Sequence, residues 1–432
     1  MYFNESFLSF VWQFHSFDTL LLRTTSNDEI IIKHPGHINY NSGPDFLQAK
    51  IRIGRIEWVG AVEIHLKSSD WNRHKHKNNP EYNQVVLHVV WEHDVEVNRF
   101  DGSVLPCFEL KSRVSPQLIN RYTCLVYNED RTLPCRSQIQ DVERIIISTM
   151  IDSAFVERLQ RKINFVLDVL KETGNNWEET SYRILMRNFG FNINKDNMFL
   201  LSKFLPYSLV SKHQNNRFQV EALLFGMAGF LAKPNDDYHL KLQQEYMFLK
   251  HKYNLEMNFF ERYQWKFLRL RPQNFPTVRL AQLAGLLANT KNIFTYILQH
   301  AYSSKIFNEI RVSTSEYWQK RYDSGHYYRG DRINSFGKES VKNIYINTIA
   351  PILAAYGTYI SNKIYYSRAI NLLQKISPED NKVIKNWINV GIVPEHAFDS
   401  QGLIEITNCY CSKKRCLNCA IGTKILSNQK TD

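Results

Sequence analysis

The apolar periodicity of this chain changes once along its length, and that change limits the folds open to it. Up to about residue 110 apolar and polar positions alternate, with turn signals at His34-Pro35-Gly36, Ser42-Gly43-Pro44, Gly54-Arg55, Asn79-Pro80 and Asp101-Gly102. Side chains alternate across a strand, so the pattern predicts β-strands joined by short connections. The clearest are Phe46 to Ile53 and Ile56 to Lys67, joined by a tight turn at Gly54-Arg55. A nearly continuous apolar run from Gln84 to Trp91 reads as a buried strand. Glu5 to Phe14, with Phe7, Leu8, Val11 and Trp12 at helical spacing, predicts a short covering helix.

From about Asp141 the period becomes helical, as in Phe155, Leu159, Ile163, Val166 and Leu170. Further helical stretches run through Phe218–Leu231, Asp237–Tyr253, Thr277–Ala288 and Val341–Ile360. Strands gathered at one end and helices at the other describe an α+β chain. The expected order is a β-rich or mixed α/β module over residues 1–110, a packed connection over 111–140, a mainly α-helical body over 141–400 and a four-cysteine segment over 401–432.

Charge follows the same division. Of 54 Lys+Arg and 42 Asp+Glu, residues 1–110 hold 10 and 14, so an acidic module of net −4 precedes a basic remainder of net +16. A basic body attracts polyanions such as nucleic acid, although a solvated helical surface carries the same excess; an acidic module suits a cation. No basic leader with a cleavage site opens the sequence and no apolar run is long enough to cross a bilayer, so a cytoplasmic location without a membrane partner is expected.

Within the first module, Asp45 follows a turn at the start of one strand, and Glu63 lies inside the next. Glu63, His65 and Lys67 then share a strand face. Two carboxylates held close together need a proton or a cation between them, and oxygen ligands favour Mg²⁺ or Mn²⁺. His65 or Lys67 beside them would orient or deprotonate a water. Asp70, His74, His76 and His88 follow, the three histidines being possible further metal ligands. In an extended segment His74 and His76 point the same way, a metal-ligand spacing, while Arg73, Lys75 and Lys77 make the same stretch a basic loop able to touch phosphate. Each residue also has a plain reading: Asp45 as a turn cap, Glu63 as a solvent-facing strand residue, His88 as a core histidine.

Pro44-Asp45 and Glu63 resemble the PD-(D/E)xK nuclease superfamily, with His65 where that family has lysine and Lys67 two places on. The resemblance implies metal binding by Asp45 and Glu63 and phosphodiester hydrolysis. Over nearly its whole length the chain also resembles an uncharacterised bacterial family, domain of unknown function 2851. That likeness is carried by Gly43-Pro44-Asp45-Phe46, Val62-Glu63-Ile64-His65, Ser69-Asp70-Trp71, Leu87-His88-Val89-Val90, Arg271 to Pro276 and Cys416 to Cys419. It implies no activity.

Cys409, Cys411, Cys416 and Cys419 set four thiols within eleven residues. Four thiolates close a tetrahedral shell, which predicts a structural site for zinc more readily than for an iron–sulfur cluster. Cys107, Cys124 and Cys135 read as ordinary buried cysteines. Arg269, Arg271 and Arg279 flank Pro272 to Pro276 near a helix start, a candidate phosphate site or a rigid turn. The leading expectation is a metal-dependent nuclease-like enzyme on nucleic acid. Its rivals are a non-catalytic nucleic-acid-binding or scaffold protein and a cupin-like metalloenzyme acting on a small molecule.

Overall fold

A computed structural model describes residues 3–39, 41–127, 132–255, 260–300, 314–328 and 336–427. Residues 128–131 of the expected connection and 428–432 of the cysteine segment therefore lie outside the described residues. The chain divides into two compact units. The first comprises 1–152, 385–392 and 404–432, and the second 153–384 and 393–403. The cysteine segment thus belongs to the same unit as the N-terminal sheet, far from it in sequence.

The first unit is built on a mixed sheet. Helix α1 (Glu5–Gln13) precedes strands β1 (Ile30–His34), β2 (His37–Ile38), β3 (Phe46–Ile53), β4 (Ile56–Lys67), β5 (Val85–Glu92) and β6 (Cys107–Glu109). The path across the sheet is β1-β3-β4-β5-β6, with β2 also pairing with β3. β1, β2 and β4 lie antiparallel to β3, whereas β4, β5 and β6 run parallel to one another. The sheet is therefore not the closed antiparallel barrel expected under the cupin-like alternative. Short connections between successive strands also fail between β4 and β5, because a parallel pair needs a crossover. Residues 68–84 supply it, carrying a short helix α2 (Asp70–Arg73) and 3₁₀ turns at His76–Asn78 and Pro80–Tyr82.

Local chemistry accounts for the hairpin. Gly54 takes φ +59° at the first central position of a two-residue turn, a conformation costly for residues with a Cβ. β4 begins exposed at Ile56–Val59 and ends with Ala61 to His65 buried on both faces. β5 is buried from Val85 to Trp91, which is why its sequence lacks alternation. Gly60 permits the β4–β5 approach, since a Cβ there would lie 2.4 Å from Val86 Cγ1 and 2.6 Å from the Gln84 carbonyl oxygen. α1, capped by the Asn4 side chain, buries Phe7, Leu8, Phe10, Val11 and Trp12.

One irregularity decides the geometry of the site. From the turn, β3 and β4 pair in a single register from Ile53↔Ile56 to Ala49↔Gly60, but Phe46 then pairs with Val62. One extra residue has entered β3, at a bulge where Gln48 adopts φ +59°. In the unbroken register Asp45 would oppose Ile64 and share its face. After the bulge it opposes Glu63.

The second unit is helical, with a core that includes Phe155, Tyr182, Phe189, Leu223, Leu283 and Leu353. Its helices include Arg217–Met227, Asp237–Lys252 and Pro276–Asn289, close to the sequence expectations. The stretch expected at Val341–Ile360 is Lys338–Ile344, a π-helical turn Tyr345–Ile349 and Ala350–Tyr359. Among the described residues no helix is long and apolar enough to cross a membrane.

Candidate active site

Asp45 and Glu63 hold each other through the backbone. The Asp45 amide donates to Glu63 Oε2 at 3.1 Å, and the Ile64 amide donates to Asp45 Oδ2 at 2.9 Å. One oxygen of each carboxylate is thereby anchored, and Glu63 Oε1 is left toward neighbouring imidazoles. Burial first, and then the charge of Glu63, pushes Asp45 up to about 7. Burial likewise pushes Glu63 up to about 8. Glu63 is 5% exposed, and the basic groups within ion-pair distance of it among the described residues are imidazoles, not a lysine or arginine.

Those imidazoles are His65 and His76, whose Nε2 atoms lie 3.6 and 3.4 Å from Glu63 Oε1. His65 Nε2 is also 3.1 Å from His74 Nδ1, and its Nδ1 is 2.8 Å from His88 Nε2. His65, His74 and His76 each offer a ligand atom within 4.8 Å of the others. Burial, followed by the neighbouring imidazoles, holds His65 down to about 2 and His88 down to about 3, so both rings are neutral. His88 is a fully buried histidine, as its plain reading had it, but it is also the back support of His65.

The extended His-x-His geometry is corrected. His74 ends α2, Lys75 takes φ +62°, and His76 starts a 3₁₀ turn. The two rings meet because the left-handed residue between them folds the chain back on β4. The crossover is pinned by Asp94, which accepts from the Ser69 amide at 2.9 Å and from the hydroxyls of Ser68 and Ser69 at 2.9 and 2.8 Å. Trp71, buried, packs edge-on against His76, and Tyr82 stacks on the same ring at 3.8 Å between centroids.

Other expected site residues fall elsewhere. Lys67 is exposed at the end of β4, in register with Glu92, and makes no ion pair with Asp45 or Glu63. Arg73 pairs with Asp70 at 3.0 Å, and Lys75 is exposed. Arg269 and Arg271 are exposed in the second unit. Arg279 is 6% exposed and donates to Asn274, Gln282 and Ser340 while lying 4.1 Å over Phe191, so it is interior and not at the surface beside them.

Cys411, Cys416 and Cys419 are buried and Cys409 is half-buried. Cys409 and Cys411 sit in the π-helical segment Ile406–Cys411. No three of the four thiols are gathered as the imidazoles are, among the described residues. Cys107 and Cys135 are buried, whereas Cys124 is exposed, correcting its reading as a core cysteine.

Two participants escaped the sequence reading. Glu5, in the first turn of α1, accepts from the Leu66 amide, is raised by burial, and interacts with His74, Asp45 and Glu63. Tyr82, pushed up to about 12 by burial, belongs to the crossover. An amphipathic helix with a glutamate at its start and a tyrosine after a proline carry no local signal of such roles.

No curated protein and no solved structure matches the chain. The family model described as "Protein of unknown function (DUF2851)" matches residues 5–382, a span that holds α1, the whole sheet and most of the helical unit, and the chain therefore belongs to the DUF2851 family.

Proposed function

We propose that the chain is a divalent-cation-dependent phosphodiesterase acting on nucleic acid, with Asp45 and Glu63 as its cation ligands. The observation that carries this reading is the reciprocal anchoring of the two carboxylates, with imidazoles and no lysine or arginine within ion-pair distance of Glu63 among the described residues. Buried like charges are stable together only with a proton or a cation. A cation there would polarise a phosphodiester oxygen and lower the pKa of a bound water. His65 and His76 stand beside Glu63 Oε1, at 3.6 and 3.4 Å, where their neutral rings would orient such a water. Lys67 has no part in this scheme, and His65 takes the position that lysine holds in the nuclease signature.

The nucleic-acid substrate is supported by charge. In the second unit a cavity of about 430 Å³ is lined by Arg158, Arg161, Lys162, Arg187 and Lys195, with no carboxylate among the described residues that line it. Clustered cations attract phosphate backbones irrespective of sequence.

The test is incubation of the full chain with labelled single- and double-stranded DNA and RNA in Mg²⁺ or Mn²⁺. Cleavage is expected, with Asp45→Asn and Glu63→Gln slowed by roughly a hundredfold or more. Equal behaviour of wild type and both variants on every substrate would overturn the proposal.

A further inference from the structure

We infer that His65, His74 and His76 form a second, nitrogen-rich cation site beside the Asp45–Glu63 pair, of the kind that takes Zn²⁺ and not Mg²⁺. The inference goes beyond the phosphodiesterase reading and does not depend on it, because it rests on the imidazoles alone.

Three rings converge from different parts of the fold: His65 from β4, His74 from the end of α2 and His76 from the following 3₁₀ turn. Their ligand atoms all lie within 4.8 Å of one another, and His65 Nε2 is 3.1 Å from His74 Nδ1. Nitrogens bonded at about 2.0–2.1 Å to one tetrahedral zinc are roughly 3.3 Å apart, so the cluster needs only a small contraction to close on an ion. Imidazole nitrogens select Zn²⁺ and its first-row neighbours, whereas Mg²⁺ keeps to oxygen.

A separate observation points the same way. His76 Nε2 is buried without a hydrogen-bond partner, on a side chain 10% exposed, and stands 3.4 Å from Glu63 Oε1. A buried imidazole nitrogen without a partner is costly unless something else occupies its lone pair. Behind the cluster, His65 Nδ1 lies 2.8 Å from His88 Nε2. Such a contact fixes the tautomer and turns Nε2 toward an ion. His74 is exposed and gives the ion a way in. Three neutral ligands leave a position open for water, and Glu63 Oε1 is beside it.

The test uses the full chain, stripped with chelator and titrated with Co²⁺ as a visible-absorbing stand-in for Zn²⁺. A single equivalent is expected to produce the strong visible bands of a low-coordinate ion, lost on adding Zn²⁺ and kept on adding the same concentration of Mg²⁺. His74→Ala, at an exposed position that folding tolerates, and His76→Gln should each weaken Co²⁺ binding by more than roughly tenfold. Asp45→Asn should keep the bands, which separates this site from the carboxylate pair. Absence of bands in the wild type overturns the inference. So do bands that survive both histidine variants and vanish in Cys416→Ser, since they place the ion at the cysteines. Failure to cleave any nucleic acid leaves the metal result intact and counts only against the phosphodiesterase reading.

Discussion

Residues of one chemical type reach opposite ends here because of what surrounds them. Glu63 and Glu221 are both buried glutamates, yet Glu63 faces a second carboxylate and imidazoles, while Glu221 Oε2 accepts the hydroxyl of Tyr238 at 2.6 Å. Burial raises the pKa of Glu221, against the lowering effect of that hydrogen bond. A carboxyl raised in the folded state contributes stability that is complete below its unfolded value and is lost as pH rises through the folded one. Glu221→Gln keeps an acceptor for Tyr238 and removes the titration. The variant should therefore match wild type in acid and become the more stable of the two as pH rises above about 4.5, read by melting temperature at a series of pH values. A constant difference at all pH values would show that burial of charge at Glu221 has no such effect. Asp45 and Glu63 were legible in the sequence because an acid after a turn and an acid inside a strand are local facts. Glu5 and Tyr82 were not, since each reaches the site only by packing of a distant element.

At the scale of elements, the bulge in β3 matters more than any single donor. A one-residue change of register moves every following side chain to the other face of a sheet. Inserting one alanine between Phe46 and Leu47 shifts the residues before it by one more place and turns Asp45 to the face of Ile64. Cleavage should then fall to the level of Asp45→Asn, with circular dichroism retaining the mixed secondary structure. The φ of +59° at Gln48 supplies a control. Gln48→Gly should be neutral or slightly stabilising, whereas Gln48→Val should cost about 1–2 kcal/mol in urea denaturation. Both strands of this hairpin could be drawn from alternation, and their ends agree with the structure. The bulge could not, because Leu47-Gln48 continues the strand composition and the extra residue appears only when pairing with β4 is counted. The crossover was hidden for a related reason. Residues 68–84 contain turn-forming residues that suit a hairpin loop equally well, and only the parallel pairing of β4 with β5 makes them a crossover between neighbouring strands.

For the molecule as a whole, the chain is divided between two compact units, each with its own apolar cluster. If the basic cavity of the second unit binds a phosphate backbone, Lys195→Gln and Arg187→Gln should each lower the slope of log affinity against log salt by about 0.7–0.9, read by fluorescence anisotropy with labelled DNA or RNA. Unchanged slopes would place nucleic-acid contacts elsewhere. The order of a sheet-bearing part and a helical part was determined by the sequence itself, because hydrophobic periods of two and of 3.6 are properties of neighbouring residues. So was the neighbourhood of the acids and histidines. The tertiary structure alone decided that β4 and β5 run parallel, that Asp45 opposes Glu63, that His74 and His76 close on His65, and that residues 404–432 return to the first unit. These are consequences of pairings between residues far apart in the chain. Their outcome depends on which surfaces bury one another, a choice that no local window of sequence contains.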